Sequence, residues 1–176
     1  MQPASAPEIQ PAVSLLGKTP QLLETLLGDL TDELLQWKPA PDRWSISEVL
    51  AHLSALETVY ADRVRRMIAQ DSPPLARYDL EGAKIRNEYS RGSGVENLLQ
   101  FTSLRRSTVA LLTSLPASAG TRAGVHSELG MITLAHMLNE WASHDLGHLR
   151  QIQELYRAHA FHPNSGPFMK YSRPQP

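Results

Sequence analysis

Apolar side chains recur every three to four positions along most of the chain, the period of a helix with one buried face. Leu22, Leu23, Leu26, Leu27 and Leu30 mark a first helix from about Ala12 to about Leu27, which Pro20 interrupts or which starts at Thr19-Pro20. Thr31 to Leu35 reads as a short turn of helix. Ile46, Val49, Leu53, Leu56, Tyr60, Val64 and Met67 form the stripe of a second helix ending near Ala69. Ser45 and Glu48 stand three apart at its start, the spacing of a capping box in which hydroxyl and carboxylate each satisfy an orphan backbone amide. Ser93 and Glu96 repeat the device ahead of a third stripe, from Leu98 through Phe101 and Leu112 to Leu115, which Pro116 ends. A fourth helix is expected from about Ile132 to about Ala158, with Leu134, Met137, Leu138, Trp141, Leu149, Ile152 and Leu155 on its apolar side.

Proline and glycine punctuate the rest. Residues 1–11 are rich in Pro, Ala and Ser and read as a loose tail. Pro39 and Pro41 exclude helix from the connector before Ser45, and Pro73-Pro74 stops the second helix. Residues 75–93 carry mixed charge and few apolar positions. They read as a long crossover with one short helix around Ala83 to Tyr89, placed near the mouth of a site because long loops in compact domains tend to be functional. Residues 117–130 form a connector, and no segment reads as a strand. The expectation is an all-α, four-helix bundle over residues 12–160, with the long crossover between helices two and three. Residues 161–176 would pack on it as an extension anchored by Phe168 and Tyr171.

Composition narrows the chemistry. At 176 residues and 41% hydrophobic content the chain fits a single domain with a real core. A net charge of −1 argues against a nucleic-acid binder that works by neutralising phosphates. The absence of cysteine excludes disulfides, thiolate ligands and a cysteine nucleophile. No run approaches the roughly 20 apolar residues that span a bilayer, and no basic cluster with an apolar run marks a leader, so the expected location is cytoplasmic, with no membrane partner.

The chemistry concentrates in Trp141-Ala142-Ser143-His144-Asp145-Leu146-Gly147-His148. His144 and His148 are four apart, on one helical face with Trp141 and Ile152, so both imidazoles point inward. A bare pair of this kind more often packs than binds. With a third ligand from another helix, however, it can grip one ion, and His52 on the inner half of the second helix is placed to supply it. Three imidazoles without a thiolate suit zinc or nickel first, then iron, manganese or copper, and leave positions open for water or substrate. Asp145, Glu48 and Gln151 are candidates to orient the ligands; Glu48 already has a capping role, Asp145 could serve an ion pair, and Gln151 is placed to bond a water or an interhelical carbonyl. Glu140 reads as a solvated or interhelical charge, His136 as a non-ligand at the polar edge of the fourth helix, and His126, His159 and His162 as solvated. Gly147 would permit a close helix approach. Arg63, Arg65 and Arg66 read as a solvated face, with a recognition patch for an acidic thiol as the rival.

A helix opening Trp44-Ser45-Ile46-x-Glu48-x-Leu50-x-His52-Leu53, followed late by His144-Asp145-x-x-His148-x-x-Gln151-Ile152, resembles the DinB/YfiT-like family of metal-binding four-helix bundles. The likeness runs from about Leu15 to about Arg157. It implies a divalent metal held by His52, His144 and His148, a homodimer, and thiol-S-transferase or hydrolase-like activity. A low-molecular-weight thiol or a water would then attack a small electrophilic substrate. The leucine content of the first helix, more than one buried face needs, also points to a homodimer. The alternative is a non-catalytic metal-binding or dimerisation module on the same scaffold with a stress-related role. A third reading is a metal-free bundle whose histidines only pack.

Overall fold

A computed structural model describes residues 8–171 and 173–175 of the chain. Among them six α-helices follow in order: α1 (Gln10–Leu27), α2 (Asp32–Gln36), α3 (Ile46–Ala69), α4 (Leu80–Ile85), α5 (Gly94–Thr113) and α6 (Leu134–Tyr156). The four long ones, α1, α3, α5 and α6, form the bundle, and the chain crosses over between α3 and α5 as expected. Both capping boxes form. Ser45 Oγ accepts from the Glu48 amide at 3.1 Å while Glu48 returns a carboxylate to the Ser45 amide at 2.9 Å, and Ser93 and Glu96 do the same. A third box, Thr133 with His136, opens α6.

Helix α1 begins at Gln10, and Ile9 ahead of it is buried, so residues 9–11 of the expected tail belong to the bundle; residues 1–7 of it lie outside the described residues. Pro20 does not interrupt α1. A proline deprives the carbonyl four residues back of its donor. That carbonyl belongs to Leu16, and the Arg105 guanidinium of α5 donates to it at 3.3 Å. The short crossover helix, α4, lies a few residues earlier than expected, and a 3-10 turn at Glu88–Ser90 follows it.

A three-stranded sheet replaces the connector expected over residues 117–130. β2 (Ala123–His126) and β3 (Gly130–Thr133) form an antiparallel hairpin, and β1 (Pro74–Leu75) adds to β2 in parallel. Gly130, at φ 70°, supplies the left-handed residue that enters β3. Arg122 ties the hairpin to the end of α3 by donating to the Met67 carbonyl at 2.8 Å.

The core is divided by a polar layer. One apolar cluster holds Leu16, Leu56, Tyr60, Val64, Leu112, Leu138 and Trp141; the other holds Leu23, Leu50, Leu53, Phe101, Leu149 and Ile152. Between them four buried polar side chains meet, one from each long helix: Thr19, Glu57, Arg105 and Asp145. Arg105 donates to Glu57 Oε2 at 2.7 Å and to both Asp145 oxygens, one of them at 3.1 Å, and Thr19 donates to Asp145 at 2.7 Å. The guanidinium also lies over the rings of Phe101 and Trp141, at 4.9 and 5.2 Å. Burial works against its charge, but Asp145 and Glu57 outweigh that and hold its pKa above the ordinary value.

Candidate metal centre

The same level of the bundle carries the histidines. His52 projects from α3, one turn before Leu56, and His144 and His148 project from successive turns of α6. His144 Nε2 lies 3.3 Å from His52 Nε2 and 3.1 Å from His148 Nε2. One ligand nitrogen from each of the three lies within 4.8 Å of the others. An ion bonded to nitrogens at about 2.0–2.1 Å in tetrahedral geometry sets them about 3.3 Å apart. Both spacings from His144 match one divalent transition ion, and the all-nitrogen donor set fits the same class.

Electrostatics keep the lone pairs available. Burial, then the neighbouring imidazoles, push the His52 pKa down to about 3. Burial and His148 push His144 down to about 4. Burial lowers His148 as well, against the opposing pull of Gln151 and Asp145. All three are neutral at pH 7, the form that ligates metal. Gln151 Oε1 lies 2.9 Å from His148 Nδ1. An amide oxygen only accepts, so Nδ1 carries the proton and Nε2 keeps its lone pair directed at the other two rings. Gln151 thus bonds a ligand histidine, not the water or interhelical carbonyl expected of it.

The other two candidate orienters point elsewhere. Glu48 accepts from Lys38 at 2.6 Å, from Ser90 at 2.8 Å and from the Ser45 amide, and although burial would raise its pKa, these donors hold it below the usual range. The Asp145 carboxylate is engaged by Arg105 and Thr19 in the central layer, the ion-pair alternative weighed for it. His52 Nδ1 is buried with no hydrogen-bond partner among the described residues. Ring packing surrounds that imidazole instead: Trp44 at 5.0 Å, Tyr89 edge-on at 5.3 Å and Tyr78 at 6.4 Å. Trp44 also stacks at 6.3 Å on His148. Tyr78 and Tyr89 come from the crossover and share a 2.6 Å hydrogen bond between their hydroxyls, so that segment does border the site.

The remaining candidates fall away from the centre. Glu140 is exposed, His136 serves the Thr133 cap, His159 stacks on Trp37 at 4.8 Å, and His126, expected in solvent, is buried at the end of β2. Arg63 donates to the Ala76 carbonyl, Arg66 pairs weakly with Asp62 and Arg65 faces solvent, so the three make no common patch at the site. A side chain at Gly147 would meet open space, which assigns this glycine to a cavity wall and not to close helix packing. Phe168 and Tyr171 are largely exposed and do not anchor the extension; among its described residues, the Tyr156–Phe161 contact and a bond from the Gln175 amide to Glu154 tie it to α6.

Beside His144 and His148 a cavity of about 640 Å³ opens to solvent, lined also by Gly147, Gln151 and Glu154. No helix among the described residues is long and apolar enough to cross a membrane.

Comparison with known proteins agrees with this architecture. YfiT from Bacillus subtilis, described as "a probable metal-dependent hydrolase with an unusual four-helix bundle topology", superposes with a TM-score of 0.76 at 20% identity, covering 89% of this chain and 92% of that one. A DinB-like protein from Bacillus cereus ATCC 10987 superposes with a TM-score of 0.62 at 16% identity, covering 86% and 93%. The uncharacterized protein YuaE of Bacillus subtilis strain 168 is 26% identical over 142 residues, which span 73% of this chain and 87% of YuaE. Residues 15–152 match the model of the DinB superfamily, and the chain belongs to that superfamily.

Proposed function

We propose that this protein is a metal-dependent enzyme of the hydrolase or thiol-S-transferase type, with His52, His144 and His148 as ligands and a small electrophilic molecule as substrate. The observation that carries this reading is the convergence of three neutral imidazole nitrogens beside a cavity large enough for a small molecule. A ligand set buried on all sides would suit a structural ion; here His144 and His148 are only half-buried and border open space. The description of YfiT as a metal-dependent hydrolase points the same way.

When bound, a divalent ion supplies Lewis acidity toward a water or a low-molecular-weight thiol. The chain's own residues do the rest. Gln151 fixes the tautomer of His148. Trp44, Tyr78 and Tyr89 shield His52 from water. The histidines act as ligands and not as acid–base groups, because the coordinating lone pair is committed. A homodimer belongs to the same reading, supported by Leu22, half-exposed on α1 beside the partly buried Leu26.

The test is a screen of ester, amide and thiol-acceptor substrates on zinc- and nickel-loaded protein, repeated with His148→Ala and with chelator. Turnover that needs both the ion and His148 supports the proposal. A protein that loads metal stoichiometrically but turns over none of them would favour a non-catalytic metal-binding module.

A further inference from the structure

The cavity beside the histidines has a strong charge bias. Four arginines line it, Arg43, Arg150, Arg157 and Arg173, against one carboxylate, Glu154. That carboxylate is already committed on both oxygens. Arg157 donates to Oε1 at 2.8 Å and the Gln175 amide donates to Oε2 at 2.9 Å. Glu154 therefore serves to hold the chain's last described residues against α6, and it is not available to receive a cationic ligand. The same bond fixes Arg173, two residues before Gln175, at the cavity wall. Arg150 arrives from α6, two residues beyond His148. Neither Arg150 nor Arg173 has an ion-pair or hydrogen-bond partner among the described residues. Gly147 leaves the wall between the histidines and Arg150 without a side chain. Two unmatched guanidinium groups in a concave wall focus positive potential into the cavity. Their planar forks match the two oxygens of a carboxylate or a phosphate.

We propose that Arg150 and Arg173 form an oxyanion subsite, so that the small molecule taken up beside the histidines carries a carboxylate or phosphate group. This rests on the reading of the cavity as the substrate site. It divides the ligand into a reacting end at the histidines and an anionic end at the arginines. It also gives Arg173 a task, in one wall of the binding site.

The experiment is calorimetric titration of the full chain, zinc-loaded in one series, and in a second stripped with a chelator that is then dialysed away. The probes are succinate, inorganic phosphate and the uncharged diamide succinamide. At least one anion is expected to bind in both series while succinamide does not, and the tighter of the two anions identifies the group as carboxylate or phosphate. Arg150→Gln/Arg173→Gln should weaken that binding at least tenfold. Both positions are exposed, so folding is expected to survive, and circular dichroism checks it. Arg65→Gln, at an exposed arginine of α3, should leave binding unchanged. The proposal is overturned if neither anion binds the wild type, if the double variant binds like the wild type, or if binding requires zinc and ignores the arginines. If zinc fails to bind while anions still do, the metal reading fails and the subsite stands.

Discussion

Replacing Arg105 with methionine tests the central polar layer. Arg105 is completely buried, donates to Glu57 and to both oxygens of Asp145, and supplies the donor that Pro20 denies to Leu16. Methionine keeps the length and removes every one of these bonds. Two buried carboxylates are then left without their cation. Removing one partner of a buried ion pair costs roughly 3–5 kcal/mol. At about 2–4 °C per kcal/mol for a chain of this size, the melting temperature should fall by roughly 6–20 °C. The loss should depend on pH. Burial already raises the Glu57 pKa, with Arg105 pulling it back. Without that cation the carboxyl rises further and folds more readily protonated, so the variant's deficit should grow as pH rises and shrink as it falls. Adding Glu57→Gln and Asp145→Asn should restore much of the stability. Thermal melts followed by circular dichroism between pH 5 and 8 read all of this. A single variant within about 2 °C of wild type would mean that the layer is not the interior junction described here.

Further outcomes follow from the metal centre. In metal-free protein, stability should fall as pH drops below about 6.5, because the unfolded histidines take up protons there while folded His52 and His144 resist until about 3 and 4; chemical denaturation across that range should show a shallower fall in His52→Gln. Gln151→Leu should lower metal affinity about 10–100-fold without unfolding the protein, and Gln151→Glu should recover most of it, measured by competition with a chromogenic chelator. Light scattering at micromolar concentration should report a dimer that Leu22→Glu weakens, and a wild-type monomer would remove the dimer from the picture.

Local chemistry made much of this legible in the sequence. Each Ser-x-x-Glu box places a helix start, because the reciprocal bonds require that spacing. The i, i+4 spacing puts His144 and His148 on one face, and the stripe containing Leu53 and Leu56 turns His52 inward. What stayed hidden depends on pairs distant in the chain. Thr19, Glu57, Arg105 and Asp145 meet only after four helices have packed, and no local period marks them. Pro20 read as an interruption because its missing bond is compensated by a residue 85 positions later. The hairpin leaves no period in the sequence, because two strands of four residues are too short for alternation to stand out. The third capping box was not visible because His136 occupies the position where Glu or Gln is the signal. Trp44 belongs to the family-like pattern at the start of α3, but its place beside His52 and His148 emerges only in the tertiary structure.

The most direct measurement is metal content and helical circular dichroism on the same samples of wild type and His148→Ala. Wild type should take up close to one transition ion per chain, and the variant should fall to background while keeping its helical signal and losing only a few degrees of melting temperature, because leucine burial at roughly 25 cal/mol per Å² outweighs one site in holding the bundle. Stoichiometric metal in His148→Ala, or none in wild type loaded with zinc or nickel, would contradict the three-histidine centre. Collapse of the helical signal in the variant would make the ion structural and remove the basis for a catalytic site.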